Sequence, residues 1–255
     1  EAEKRATSVY LVDRTVPMLP EHLCNGICSL RPNEEKLAYS CIFEMDDNAN
    51  IINHRIRKTV IKSDRRFTYE EAQEIIETGK GDYAEEVLTL DRLAKALRKR
   101  RFEHGSVNFD RFEVRFEIDE TGHPISVYFK VSKDANKLVE EFMLLANKQV
   151  ATDIGNPGGR KKSKPFVFRI HDNPDPDRMT NFAEIANRFG YKVRTTGKRT
   201  DINNSLNKML SSVKGKPEEN LLSILAIRSM SKAVYSTVNV GHYGLAFDYY
   251  THFTS

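Results

Sequence analysis

Along residues 134–152, DANKLVEEFMLLANKQVAT, apolar side chains recur at the three- and four-residue steps of one helical face: Ala135, Leu138, Val139, Phe142, Leu145, Ala146 and Val150. Neither Gly nor Pro interrupts the stretch, and Asp134 stands where an N-cap belongs, so the pattern predicts a long helix. Residues 142–146 are apolar all round, which suits an enclosed helix better than a surface one. The helix is therefore expected to be buried and central. Glu140 and Asn147 border the apolar turn, and a spacing of about two turns points them the same way, so a groove is expected beside them. A carboxylate at the edge of a dry segment needs water, donors or a ligand, because burying it unpaired is strongly unfavourable. From spacing alone, a solvated Glu140 and a ligand-holding Glu140 both stay open.

The remaining pattern predicts alternating strands and helices. Residues 7–13 read as a strand entering a rigid turn at 16–20, where Pro17 and Pro20 end any ladder. Residues 21–29 read as a short helix, and 37–45 with 51–61 as a long hairpin turning at 46–50. Thr68 followed by Glu71 is a capping-box pattern for a helix ending near Gly79. Residues 88–103 form a basic amphipathic helix whose Arg98, Lys99, Arg100 and Arg101 either line a phosphate-facing surface or are simply solvated. A second hairpin, 112–118 with 125–131, leads into the central helix. Residues 155–164 are rich in Gly, Lys and Arg and read as a flexible basic surface loop. Beyond it come a buried strand at 166–170, a helix from Asp175 or Asp177 to Gly190, a helix at 202–212 and a helix at 218–235 with Pro217 in its favoured first-turn position.

Composition narrows the class only moderately. A chain of 255 residues, 39% hydrophobic, can bury one large core or two joined ones, and a net charge of +4 fits a local basic groove better than general polyanion binding. Cys24, Cys28 and Cys41 form neither an even set nor a Cys-x-x-Cys pair, which favours a reduced, cytoplasmic protein. A zinc site joining them to His22 or His54 and a plain apolar helical face are both compatible with the four-residue spacing. No stretch of 18 apolar residues predicts a membrane span, and no signal-like start or internal repeat is present. His171, Asp172, Asp175 and Asp177 resemble a metal cluster, although prolines at 174 and 176 fit a turn with an N-cap. The chain opens without Met and stops in an aromatic run, so it is expected to be part of a longer protein.

Six ordered blocks carry a resemblance. They are SVYLVDRTVPMLPEHLCNGICSLRPNE at 8–34, SDRRFTYEEA at 63–72, VNFDRFEVRF at 107–116, DANKLVEEFMLLAN at 134–147, FRIHD at 168–172 and GHYGLAFDYYTHFTS at 241–255. Together they resemble the central part of the RNB catalytic domain of the ribonuclease II and ribonuclease R family, with details nearer the ribonuclease R branch. The resemblance implies an α+β RNB-type domain over residues 1–255, a mixed β-sheet packed with helices around the buried central helix. It implies a cytoplasmic, monomeric, processive exoribonuclease that degrades single-stranded RNA from its 3′ end to nucleoside 5′-monophosphates with Mg2+.

In that family the metal-binding aspartates precede the block containing Tyr10, and an arginine-bearing motif follows the block ending at Ser255. Both would lie outside this stretch, so the resemblance implies a domain truncated at both ends, with no metal or catalytic residue of its own and no activity in isolation. It implies that Tyr10 and Phe109 clamp the last bases, and that Tyr69 and Glu140 contact the sugar. Stacking on aromatic rings suits an enzyme indifferent to sequence, and a hydroxyl with a carboxylate suits a 2′-OH. Asn147, Thr254 and Ser255 are candidate supporting residues. The alternatives are a non-catalytic RNA-binding module that keeps the aromatic clamp, and a metal-dependent hydrolase built on His171 to Asp177.

Overall fold

The computed structural model describes residues 2–109, 113–156 and 165–253. The candidates Thr254 and Ser255, and residues 157–164 of the basic loop, lie outside the described residues. The chain gathers into two compact units. One comprises Glu1–Asp46, Ile51–Thr89 and Arg111–Lys137; the other comprises Asp47–Asn50, Leu90–Asp110 and Leu138–Ser255.

The first unit opens with a short helix α1 (Ala2–Arg5) and a two-residue ladder of β1 (Val9–Tyr10) with β2 (Thr15–Val16). The strand expected over 7–13 is this short because the chain reverses within it, the Leu11 N–H donating to the Arg14 carbonyl at 2.8 Å. The helix expected at 21–29 is a π-helical turn, His22–Ile27. Strands β3 (Glu35–Met45) and β4 (Ile51–Lys62) form the expected long hairpin, pairing Leu37 with Val60 and Tyr39 with Lys58.

Helix α2 (Tyr69–Thr78) starts on the capping box that the sequence carries: the Thr68 hydroxyl accepts the Glu71 N–H, and the Glu71 carboxylate accepts the Thr68 N–H. It stops at Gly79, whose φ of 70° is open to glycine at little cost. Helix α3 (Ala84–Glu103) follows, then the hairpin of β5 (Glu113–Ile118) and β6 (Pro124–Lys130), turned at Asp119, and then α4 (Asp134–Gly155). The first turns of α3 and α4 belong to the first unit and the rest of each helix to the second.

The second unit adds β7 (Phe168–Ile170), α5 (Pro176–Arg188), α6 (Arg199–Val213), α7 (Glu219–Ser229) and β8 (Val234–Ser236), with β7 and β8 antiparallel. Its core takes Met179, Phe182 and Ala186 from α5, Leu206, Met209 and Val213 from α6, and Leu222 and Ala226 from α7. Each such large side chain contributes about 1.5–3 kcal/mol through removal from water. Helix α7 ends at Ser229, six residues before the expected 235. Met230 turns extended, and the β-formers Val234 and Tyr235 pair with β7 instead.

The α+β class is as expected, but the described strands form four separate antiparallel pairs in place of one mixed sheet. Helix α4 also departs from expectation, since it is only partly enclosed. Glu141, Leu144, Leu145, Asn147 and Ala151 are buried, whereas Val139 and Met143 of the apolar run are exposed. An all-apolar turn marks which residues can be covered, and the neighbouring elements decide which are. Among the described residues no helix is long and apolar enough to cross a membrane.

Candidate functional site

In the second unit the basic end of α3 meets the acidic stretch of α4. Arg101, only 7% exposed, donates from Nε to Glu141 Oε2 at 3.2 Å and from Nη2 to Glu141 Oε1 at 2.5 Å, and Glu141 itself is 3% exposed. The same Nη2 reaches Glu140 Oε1 at 3.3 Å, while Nη1 donates to the Ser106 hydroxyl at 2.8 Å, which in turn donates to the Gly244 carbonyl. Arg98 adds a second cation, 3.5 Å from Glu141 Oε1 and 3.8 Å from Glu140 Oε1, and both guanidiniums lie 4.9 Å from the Phe102 ring centre. Arg100 donates to the Asn48 and Ala49 carbonyls. Three of the four basic residues at 98–101 are thus engaged within the unit, and only Lys99 stands fully out, so this run is neither a solvated face nor an open phosphate track.

Glu140 is the exposed member of the acidic pair, its side chain 48% exposed, with Oε1 held by the arginines. The buried carboxylate is its neighbour Glu141, which sequence reasoning passed over. Two successive glutamates on a helix point about 100° apart, and nothing in VEEF says which one faces inward. The signal available was the pair Arg98 and Arg101, one turn apart on a neighbouring helix. Asn147 does share the direction of Glu140, but about 10 Å further along the axis. There the helix is covered by the 245–250 segment, and Asn147 is 5% exposed with its side chain hydrogen-bonded to the Tyr250 hydroxyl.

The other candidates divide between the units. In the first unit, Tyr10 ends β1 with its ring 76% exposed, which sets aside ordinary core packing for that residue. Tyr69 is the first residue of α2, half exposed, with Lys130 Nζ 5.6 Å from its ring centre. Phe109 belongs to the second unit, where it is half-buried and packs against the main core cluster. Glu140 keeps its arginine partners there.

A cavity of about 340 Å³ in the second unit is lined by His171, Asp172, Arg199, His242, Tyr243 and Phe247, among others. The two imidazoles sit with ring centres 5.0 Å apart. His171 Nδ1 accepts the Gly244 N–H at 2.9 Å and its Nε2 faces the Ser231 carbonyl at 2.8 Å, so the ring is a neutral acceptor–donor pair. A Cβ at Gly244 would stand 3.0 Å from that Nδ1, which is why a glycine sits there. Burial pushes His171 down, and burial with the neighbouring His171 second pushes His242 down to about 3.

Both nitrogens of His171 are occupied, and the Asp175 carboxylate caps α5 by accepting the Asp177 and Arg178 N–H groups. The metal reading of His171 to Asp177 therefore fails on geometry. Among the described residues no three of His, Cys, Asp and Glu converge to hold a metal, so they do not fit the magnesium that the resemblance implies.

The chain is 39% identical to ribonuclease R 1 of Lactococcus lactis over 264 residues and 37% identical to ribonuclease R of Aquifex aeolicus over 261, in each case across its whole length. It spans 31% and 36% of the length of those two relatives. Its structure matches that of Mycoplasma genitalium RNase R in complex with ribose-methylated single-stranded RNA at a TM-score of 0.88 and 26% identity, over all of this chain and 40% of that one. The RNB domain family matches residues 1–255 without interruption, and the chain belongs to that family.

Proposed function

We propose that this chain is the central part of the catalytic domain of a ribonuclease R-type exoribonuclease, acting on the 3′ end of single-stranded RNA and releasing nucleoside 5′-monophosphates. The observation that carries the reading is the unbroken family match over 255 residues, joined to relatives named ribonuclease R over the same span. The chain's own residues have the chemistry of grip and discrimination. Tyr10 offers an exposed ring, and a base stacked on such a ring gains about 1–3 kcal/mol whatever its identity. Phe109 is proposed as the second stacking residue. Glu140 presents a carboxylate at the solvent edge of α4, and Tyr69 a hydroxyl at the start of α2, groups suited to a 2′-OH that both donates and accepts.

Magnesium is the proposed cofactor; when bound it would supply charge neutralisation and water activation. A monomer working in the cytoplasm is the proposed setting. The test is to incubate the full-length protein with a 5′-labelled oligoribonucleotide and Mg2+ and resolve the products over time. Stepwise loss of single nucleotides from the 3′ end, finishing at a short limit product, is expected. Tight binding with no product would favour a non-catalytic RNA-binding module, and internal cuts would overturn the exonucleolytic reading.

A further inference from the structure

The proposed ribose contact leaves a physical question, because Glu140 is half exposed on a helix surface and a free glutamate there would wander among rotamers. Ordering such a side chain at the moment of binding costs rotamer entropy. The surroundings of Glu140 remove that freedom beforehand. Its Oε1 is taken by Arg101 Nη2 at 3.3 Å and lies 3.8 Å from Arg98 Nη1, while no protein group among the described residues bonds Oε2. Arg101 is itself tied at each nitrogen: Nε and Nη2 donate to Glu141, Nη1 to the Ser106 hydroxyl, and Ser106 to the Gly244 carbonyl. Its guanidinium also lies near the Phe102 ring.

We infer that Arg101 is a positioning residue for Glu140, holding one carboxylate oxygen so that the other is fixed toward the ribose. The inference rests on the ribose reading given above and adds to it the residue that sets the geometry. A planar guanidinium is required, because only a fork can bond Glu141 through two nitrogens and spare a hydrogen for Glu140. A lysine would keep the charge and lose the aim. Arg101 also holds the buried Glu141, so the experiment must separate holding the fold from aiming Glu140.

The experiment is a double-mutant cycle in the full-length enzyme, reading the ratio of kcat/KM on an oligoribonucleotide to kcat/KM on the oligodeoxyribonucleotide of the same sequence. Damage to the fold lowers both rates and leaves the ratio in place. Glu140→Ala is expected to narrow the ratio by about tenfold, and Arg101→Lys by roughly threefold or more. In the Glu140→Ala background, Arg101→Lys is expected to narrow it no further, since there is nothing left to aim. Ser106→Ala, which removes one anchor of the guanidinium, gives a smaller change in the same direction and serves if Arg101→Lys does not fold. An unchanged ratio in Glu140→Ala overturns the ribose reading itself and this inference with it. A changed ratio there, with an unchanged one in Arg101→Lys and Ser106→Ala, or with equal factors in both backgrounds, overturns the positioning role alone.

Discussion

Arg101 and Glu141 form a two-point ion pair in which neither side chain is more than 7% exposed, and Arg101 donates to both carboxylate oxygens of its partner. Breaking such a pair by removing one member leaves a charge in a dry place, which costs about 3–5 kcal/mol, whereas exchanging both members for apolar groups costs far less. Glu141→Ala is therefore expected to lower the unfolding free energy by that amount, and Glu141→Leu with Arg101→Met to cost less than either single change. The chain has ten Tyr and no Trp, so urea unfolding is followed by circular dichroism or tyrosine fluorescence. A double variant as unstable as the sum of its singles would contradict the account.

Tyr10 and Phe109 are expected to part company in a way their shared proposed role conceals. The Tyr10 ring stands in solvent, so Tyr10→Ala should shift stability by less than about 0.5 kcal/mol while weakening binding of short oligoribonucleotides by about 1–3 kcal/mol. Phe109 packs on the core cluster that holds Val107 and Leu206, so Phe109→Ala should lose both binding and roughly 1–3 kcal/mol of stability. Paired measurements of melting temperature and oligomer affinity separate the two. A destabilised Tyr10→Ala, or normal affinity in both variants, would remove the stacking assignment.

Much of this was legible where chemistry is local. The capping box of Thr68 and Glu71, the stop at Gly79, the long hairpin and the Asp175 cap all follow from short-range rules about orphan N–H groups and turn residues. What escaped depends on partners far along the chain. Helix α7 gives way at Met230 because β7, more than 60 residues earlier, recruits Val234 to Ser236. The choice between Glu140 and Glu141 is made by arginines some 40 residues away on α3. The histidine pair escaped too, since His171 and His242 lie far apart in the chain and are brought together by a β-bridge and the Gly244 contact.

That histidine pair gives the protein an acid-sensitive element with a defined sign. In the folded chain His242 is held near 3 by burial, against 6.5 unfolded, and His171 is shifted the same way. Between those limits the unfolded state binds the proton and the folded state does not, so stability is complete above pH 6.5 and is lost as pH falls toward 3. At pH 5 the loss from His242 amounts to about 2 kcal/mol. Carboxylates with lowered values, such as Glu34 and Glu71, act only below their ordinary 4.5, so the window from 6.5 to 5 reports on the histidines. Denaturant unfolding at pH 7.5 and pH 5 should record this drop in the wild type and a smaller one in His242→Asn, whose amide oxygen can still accept the Leu245 N–H. An equal drop in both would rule His242 out.

Tyr69 tests whether a hydroxyl, rather than a ring, contributes to recognising RNA. The residue is placed by its neighbours: Thr68 and Glu71 cap the helix that begins with it, Arg65 bonds Glu71, and Lys130 lies 5.6 Å from the ring centre. Its hydroxyl bonds no protein group among the described residues, so Tyr69→Phe removes one polar atom and leaves the ring and its cation where they are. Stability should therefore change by less than about 0.5 kcal/mol. If the hydroxyl meets a ribose 2′-OH, kcat/KM on RNA falls while that on DNA of the same sequence holds, narrowing the ratio by roughly threefold to tenfold. Thr68→Ala is the contrasting variant, since it removes the cap at a cost of about 1 kcal/mol without touching the hydroxyl, and it should lower melting temperature more than it alters the ratio. Parallel losses on both substrates in Tyr69→Phe would mean that the ring is used for packing or stacking and that the sugar is read elsewhere.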